Sequence, residues 1–126
     1  MKKYNYLMNV QADVEQYITD NNIQISDYES REDLEQYLND TLWNEDSVTG
    51  NASGSYTFSR YKAEENIAHN LDILSDVVYE FGGNMSSYIA DPELADVSIR
   101  CYVLGEAISK VLDDMEAVRV WELQHA

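Results

Sequence analysis

The sequence predicts a mainly α protein: one compact acidic domain over residues 1–126, a bundle of about four helices with a long loop or short β-hairpin near residues 44–59. Apolar residues recur at helical spacing over four long stretches. One Pro and five Gly in 126 residues leave few points at which long regular elements are interrupted. Apolar residues make up 44% of the chain, which argues against wholesale disorder. A domain of this length buries roughly two-thirds of its unfolded surface, enough for one core.

Leu7, Val10, Val14, Tyr17 and Ile18 recur at helical spacing and predict a first helix over about residues 4–21. Asn21-Asn22 supplies a stop, because Asn tolerates the left-handed cap conformation. Ser30 with Asp33 resembles a capping box opening a second helix. Its apolar face is Leu34, Tyr37, Leu38 and Leu42, closed by Trp43. Residues 44–59 are small, polar and Gly-punctuated with β-formers at both ends, which suits a loop or a hairpin. Ser59 caps a third helix over about residues 60–81, on which Ala63, Ile67, Leu71, Leu74, Val78 and Phe81 form one stripe ended by Gly82-Gly83. Asp91-Pro92 reads as a cap followed by Pro at the first helical position. In the long helix that follows, Val97, Cys101, Leu104, Ile108, Val111, Met115 and Val118 form a heptad-like seam. Such a seam serves a bundle core or a homodimer. The tail Val118–Leu123 alternates and fits either helix or strand.

Charge is the strongest compositional signal. The chain carries 24 acidic and 8 basic residues, a formal net charge of −16. Eleven carboxylates and one base, Arg31, lie between Asp13 and Asp46. Such a field repels nucleic acid and anionic membranes and attracts basic protein surfaces; it also serves solubility. One cysteine, Cys101, excludes an internal disulfide and fits a reducing, cytoplasmic setting. Residues 4–9, Tyr-Asn-Tyr-Leu-Met-Asn, break any apolar run after the basic N-terminus, so no signal peptide is expected, and no stretch is apolar enough to span a membrane.

The residues assemble no enzyme site. Glu65, His69, Asp72 and Asp76 share one face of the predicted third helix, but that face lies opposite the apolar stripe and reads as solvated, so no metal site is assigned. No nucleophile elbow and no phosphate loop are present. Cys101 on the seam reads as a small core residue, and no cofactor is implied. The residues expected to bind a partner are Glu32, Asp33, Glu35, Asp40, Glu45 and Asp46, with Tyr28 and Tyr56 among ten tyrosines that offer apolar area with a polar tip.

Two stretches carry a resemblance: Leu38-Asn39-Asp40-Thr41-Leu42-Trp43 running into the segment from Asp46 to Phe58, and Asp96-Val97-Ser98-Ile99-Arg100-Cys101-Tyr102. Together they resemble small uncharacterised proteins of phages and conjugative elements in gut Firmicutes. The resemblance implies a mobile-element setting, in which small acidic proteins include anti-CRISPR and DNA-mimic inhibitors. The expected function is an acidic inhibitor of a nucleic-acid-binding groove in a bacterial defence nuclease. The alternative is a non-catalytic helical interaction or structural protein of a mobile element, which the seam would allow to dimerise.

Overall fold

The structure, a computed structural model, describes residues 3–52 and 54–125; Met1, Lys2, Ser53 and Ala126 lie outside them. It is mainly α, with seven helices and no strand among the described residues. In chain order they are α1 (Lys3–Asp20), a 3-10 turn (Ile25–Asp27), α2 (Arg31–Leu42), α3 (Asp46–Thr49), α4 (Arg60–His69), α5 (Leu71–Phe81), α6 (Met85–Ala90) and α7 (Pro92–His125).

Local chemistry explains most boundaries. α1 ends where Asn22 adopts φ 49°, the left-handed conformation that lets the chain turn back. Ser30 caps α2 by accepting from the Asp33 amide, and Ser59 caps α4 by accepting from that of Lys62. Asn84 caps α6 through the Ser87 amide, and Asp91 accepts from the Leu94 amide at the start of α7, where Pro92 takes the first helical position.

α7 is the axis of the molecule. At 34 residues it is about 51 Å long, and α1, α2, α3, α4, α5, α6 and the 3-10 turn all pack on it. Ile99, Val103, Leu104, Ala107, Ile108, Val111 and Leu112 supply its buried side. Val10 and Val14 of α1, Leu34, Leu38 and Leu42 of α2, Val48 of α3, Ile67 of α4, and Ile73 and Leu74 of α5 complete one core.

Three sequence expectations change, and one open alternative is decided. The bundle of about four helices is seven helices among the described residues, because the third predicted helix breaks at Asn70 (φ −132°, ψ 36°) and two short helices form, one inside the expected loop and one at Met85–Ala90, to which no element was assigned. The break resets the phase of α5: Ile73, Leu74 and Val77 are buried, while Leu71 and Phe81 of the predicted stripe are exposed. No hairpin forms among the described residues of 44–59; α3 occupies Asp46–Thr49, and Gly50 caps it with φ +69°. The tail Val118–Leu123 is helical, for a helix satisfies its own backbone groups where no neighbouring strand is offered.

The heptad seam is also displaced. Cys101 is exposed rather than a core residue, Val97 is half-buried, and the polar Asp96 and Arg100 are buried beside them. A helix with neighbours on several sides buries a wider arc than a two-helix seam does. Cys101 lines a shallow hollow with Val77, Tyr88 and Val97, and partial burial there pushes its thiol pKa up.

Because α7 carries the core, replacing its fully buried Leu104 by Ala should cost about 2–5 kcal/mol of unfolding free energy in urea. The exposed Val120→Ala on the same helix should stay within about 0.5 kcal/mol of wild type.

Candidate functional site

The acidic surface begins with α2. Leu34, Leu38 and Leu42 turn inward, which leaves Glu32, Asp33 and Asp40 exposed on the outer side. Glu45 and Asp46, where the chain enters α3, are exposed as well. Arg31, the base of this region, faces inward. Its Nε donates to Glu35 at 2.7 Å, and its Nη1 reaches Asp113 at 2.7 Å and Glu116 at 3.0 Å. Its Nη2 donates to the Ser109 carbonyl at 3.0 Å. These carboxylates, Glu35 first, raise the Arg31 pKa and hold the guanidinium as the clamp between α2 and α7. Glu35 is therefore half-buried, unlike the exposed Glu32, Asp33 and Asp40.

The two expected tyrosines part company. Tyr28 is half-buried at the edge of a tyrosine cluster, 5.9 Å from the Tyr37 ring. The Tyr37 and Tyr17 hydroxyls lie 2.6 Å apart, and that hydrogen bond is the leading cause of the raised Tyr17 pKa. Tyr56 is half-buried as well, but its hydroxyl points at the buried Asp96. Its ring lies between Trp43, at 6.1 Å, and the Arg100 guanidinium, at 5.9 Å, and its hydroxyl donates to Asp96 Oδ2 at 3.0 Å. Burial, then the Asp96 hydrogen bond, pushes its pKa up.

Tyr56 thus belongs to a buried polar cluster that the sequence reading did not single out. Asp96 (3% exposed) and Arg100 (7%) form an ion pair one turn apart on α7, with Nε 3.1 Å from Oδ1. Asn66 of α4 donates to the same Oδ1 at 2.7 Å. Arg100 Nη1 donates to the Val48 carbonyl at 2.7 Å, which also accepts from the Tyr6 hydroxyl at 3.1 Å. A Cβ at Gly50 would stand 3.0 Å from Nη1, and its positive φ disfavours any other residue. Two stretches far apart in the sequence therefore meet here, Val48, Gly50 and Tyr56 from one and Asp96 and Arg100 from the other.

A cavity of about 480 Å³ opens on this cluster, lined by Ser47, Tyr61, Lys62, Asn70 and Arg100 among others. Asn70 is buried; its amide nitrogen donates to Asn66, and its Oδ1 has no hydrogen bond among the described residues. The cavity thus combines a buried donor, Arg100, with a buried acceptor, Asn70. Glu65 and His69 on α4 are separated from Asp72 and Asp76 on α5 by the Asn70 break, and among the described residues no three His, Cys, Asp or Glu side chains converge as metal ligands do. No helix among the described residues is long and apolar enough to cross a membrane.

No family model matches the chain, and neither a curated protein nor a solved structure matches it.

Two experiments probe the cluster. Arg100→Met strands the buried Asp96 carboxylate and should cost about 3–5 kcal/mol in urea unfolding. Adding Asp96→Leu to it should recover part of that loss, because no buried charge then remains unpaired. Burial pushes the Tyr6 hydroxyl to about 12 from its ordinary 10.0. A raised folded pKa means full stabilisation below pH 10, lost as the pH climbs from about 10 to about 12. Unfolding curves across that range should steepen in pH dependence for wild type and less so for Tyr6→Phe.

Proposed function

We propose that this protein is a non-catalytic acidic inhibitor, which docks its α2–α3 face into the cationic, nucleic-acid-binding groove of a bacterial defence nuclease. The observation that carries the proposal is the exposed row Glu32, Asp33, Asp40, Glu45 and Asp46 beside a base, Arg31, that is turned inward and spent on α7. The outward field of this face is accordingly undiluted. Asp33 and Asp40 lie two turns apart on one side of α2, about 10.5 Å along the helix. A groove that neutralises phosphates with Lys and Arg can pair the same cations with such carboxylates. The defence-nuclease target comes from the family resemblance, while the electrostatics argue for any cationic protein groove.

Charge reversal tests the face. Glu32→Lys, Asp33→Lys and Asp40→Lys together leave the Arg31 clamp intact. Glu65→Lys, Asp72→Lys and Glu80→Lys alter net charge equally on α4 and α5. Immobilised wild type should retain a nucleic-acid-binding protein from bacterial lysate at low salt and release it as salt rises. The α2 set should lose that protein and the α4–α5 set should keep it, with helical circular dichroism unchanged in both. Equal, small losses from the two sets would reduce the charge to solubility and long-range steering.

A further inference from the structure

A second surface lies on the C-terminal half of α7. Its last turns run past the core: Leu112 is the last fully buried residue, and Val118, Val120, Trp121 and Leu123 are exposed. Beside them α1, the 3-10 turn and α7 enclose a groove of about 570 Å³. Its floor is aliphatic and thioether: Ile18, Ile25, Val111, Met115 and Val118. Its rim carries Glu15, Asp114 and Glu122 against one base, Arg119. Along α7 the groove runs from Val111 to Glu122, about 17 Å, or three helical turns.

We propose that this groove is a docking site for a basic amphipathic helix of a partner protein. An apolar floor that runs two turns along α7, from Val111 to Val118, matches residues repeating at i, i+3, i+4 and i+7 on one helix face. Met115 gives the floor a side chain that adapts to differing apolar partners. The acidic rim pairs with Lys and Arg flanking that face, and the net charge of −16 draws such a helix in. The same charges oppose the other obvious occupant, a second copy of this chain, since two acidic rims would face each other at close range. The groove and the α2 face are separate surfaces, so either assignment can fail without the other.

The test uses a synthetic helix-forming peptide of about 18 residues, about five turns. It has Leu at the i, i+3, i+4, i+7 positions and Lys elsewhere, and a scrambled peptide of identical composition is the control. Binding of labelled peptide is read by anisotropy at about 0.15 M salt, where long-range attraction is screened beyond roughly 8 Å. The patterned peptide should bind wild type at least about tenfold more tightly than the scrambled one, a gap of about 1.4 kcal/mol. Val118→Glu, at a site already exposed, and Met115→Glu should each remove most of that gap. The triple reversal at Glu32, Asp33 and Asp40 should preserve it. Equal binding of the two peptides, or a gap that survives both groove substitutions, would overturn the proposal. So would a wild-type dimer in sedimentation that Val118→Glu dissociates, for the groove would then hold a second copy.

Discussion

Burial of α7 is the constraint on which the rest of the structure depends. Apart from the 18-residue α1 the other helices are short, and isolated helices of fewer than about 12–15 residues are marginal in water. α2, α4, α5 and α6 all fall in or below that range, with 12, 10, 11 and 6 residues. Each gains stability by laying an apolar face on the same 34-residue helix. The arrangement assigns roles along α7. Its middle holds the core, its N-terminal turns hold Asp96 and Arg100, and its last turns extend past the core as exposed surface.

The buried ion pair shows what that arrangement demands of the segment after α2. A guanidinium removed from water needs acceptors at fixed positions. Asp96 supplies one and the Val48 carbonyl another. The carbonyl is held in place by α3 and its Gly50 cap, and Tyr56 returns the chain to Asp96. Replacing such a pair by apolar side chains is often neutral or stabilising, so its presence adds little net stability. Its effect is positional: it ties a glycine- and serine-rich stretch to the axis helix while the carboxylates of α2 stay outside.

How much of this was legible in the sequence depended on how local the cause was. Asn22, Ser30, Ser59 and Pro92 act on their own helix ends, and their side-chain and backbone chemistry marks those ends directly. The inner face of α2 was legible because Leu34, Leu38 and Leu42 keep a regular period. The break at Asn70 was not, because Asn is tolerated within helices and the apolar residues on either side suggested one continuous stripe. Asp96 and Arg100 were missed because opposite charges four apart ordinarily mark a solvated face; only packing from several sides buries them. Displacing Cys101 outward follows from the same burial. Of the residues expected to meet a partner, the acids of α2 and α3 other than Glu35 are exposed, whereas Tyr56 is drawn inward by Asp96, a tertiary contact 40 positions away that no local pattern announces.

The central claim is that exposed carboxylates stand in for nucleic-acid phosphates, and mutual exclusion tests it most directly. Any nucleic-acid-binding protein that the acidic face retains from lysate is to be loaded with a labelled oligonucleotide and titrated with this protein while the bound label is followed. Displacement of the oligonucleotide, with an apparent affinity that falls as oligonucleotide concentration rises, is the predicted result. A stable ternary complex, with the label still bound at saturation, would contradict it.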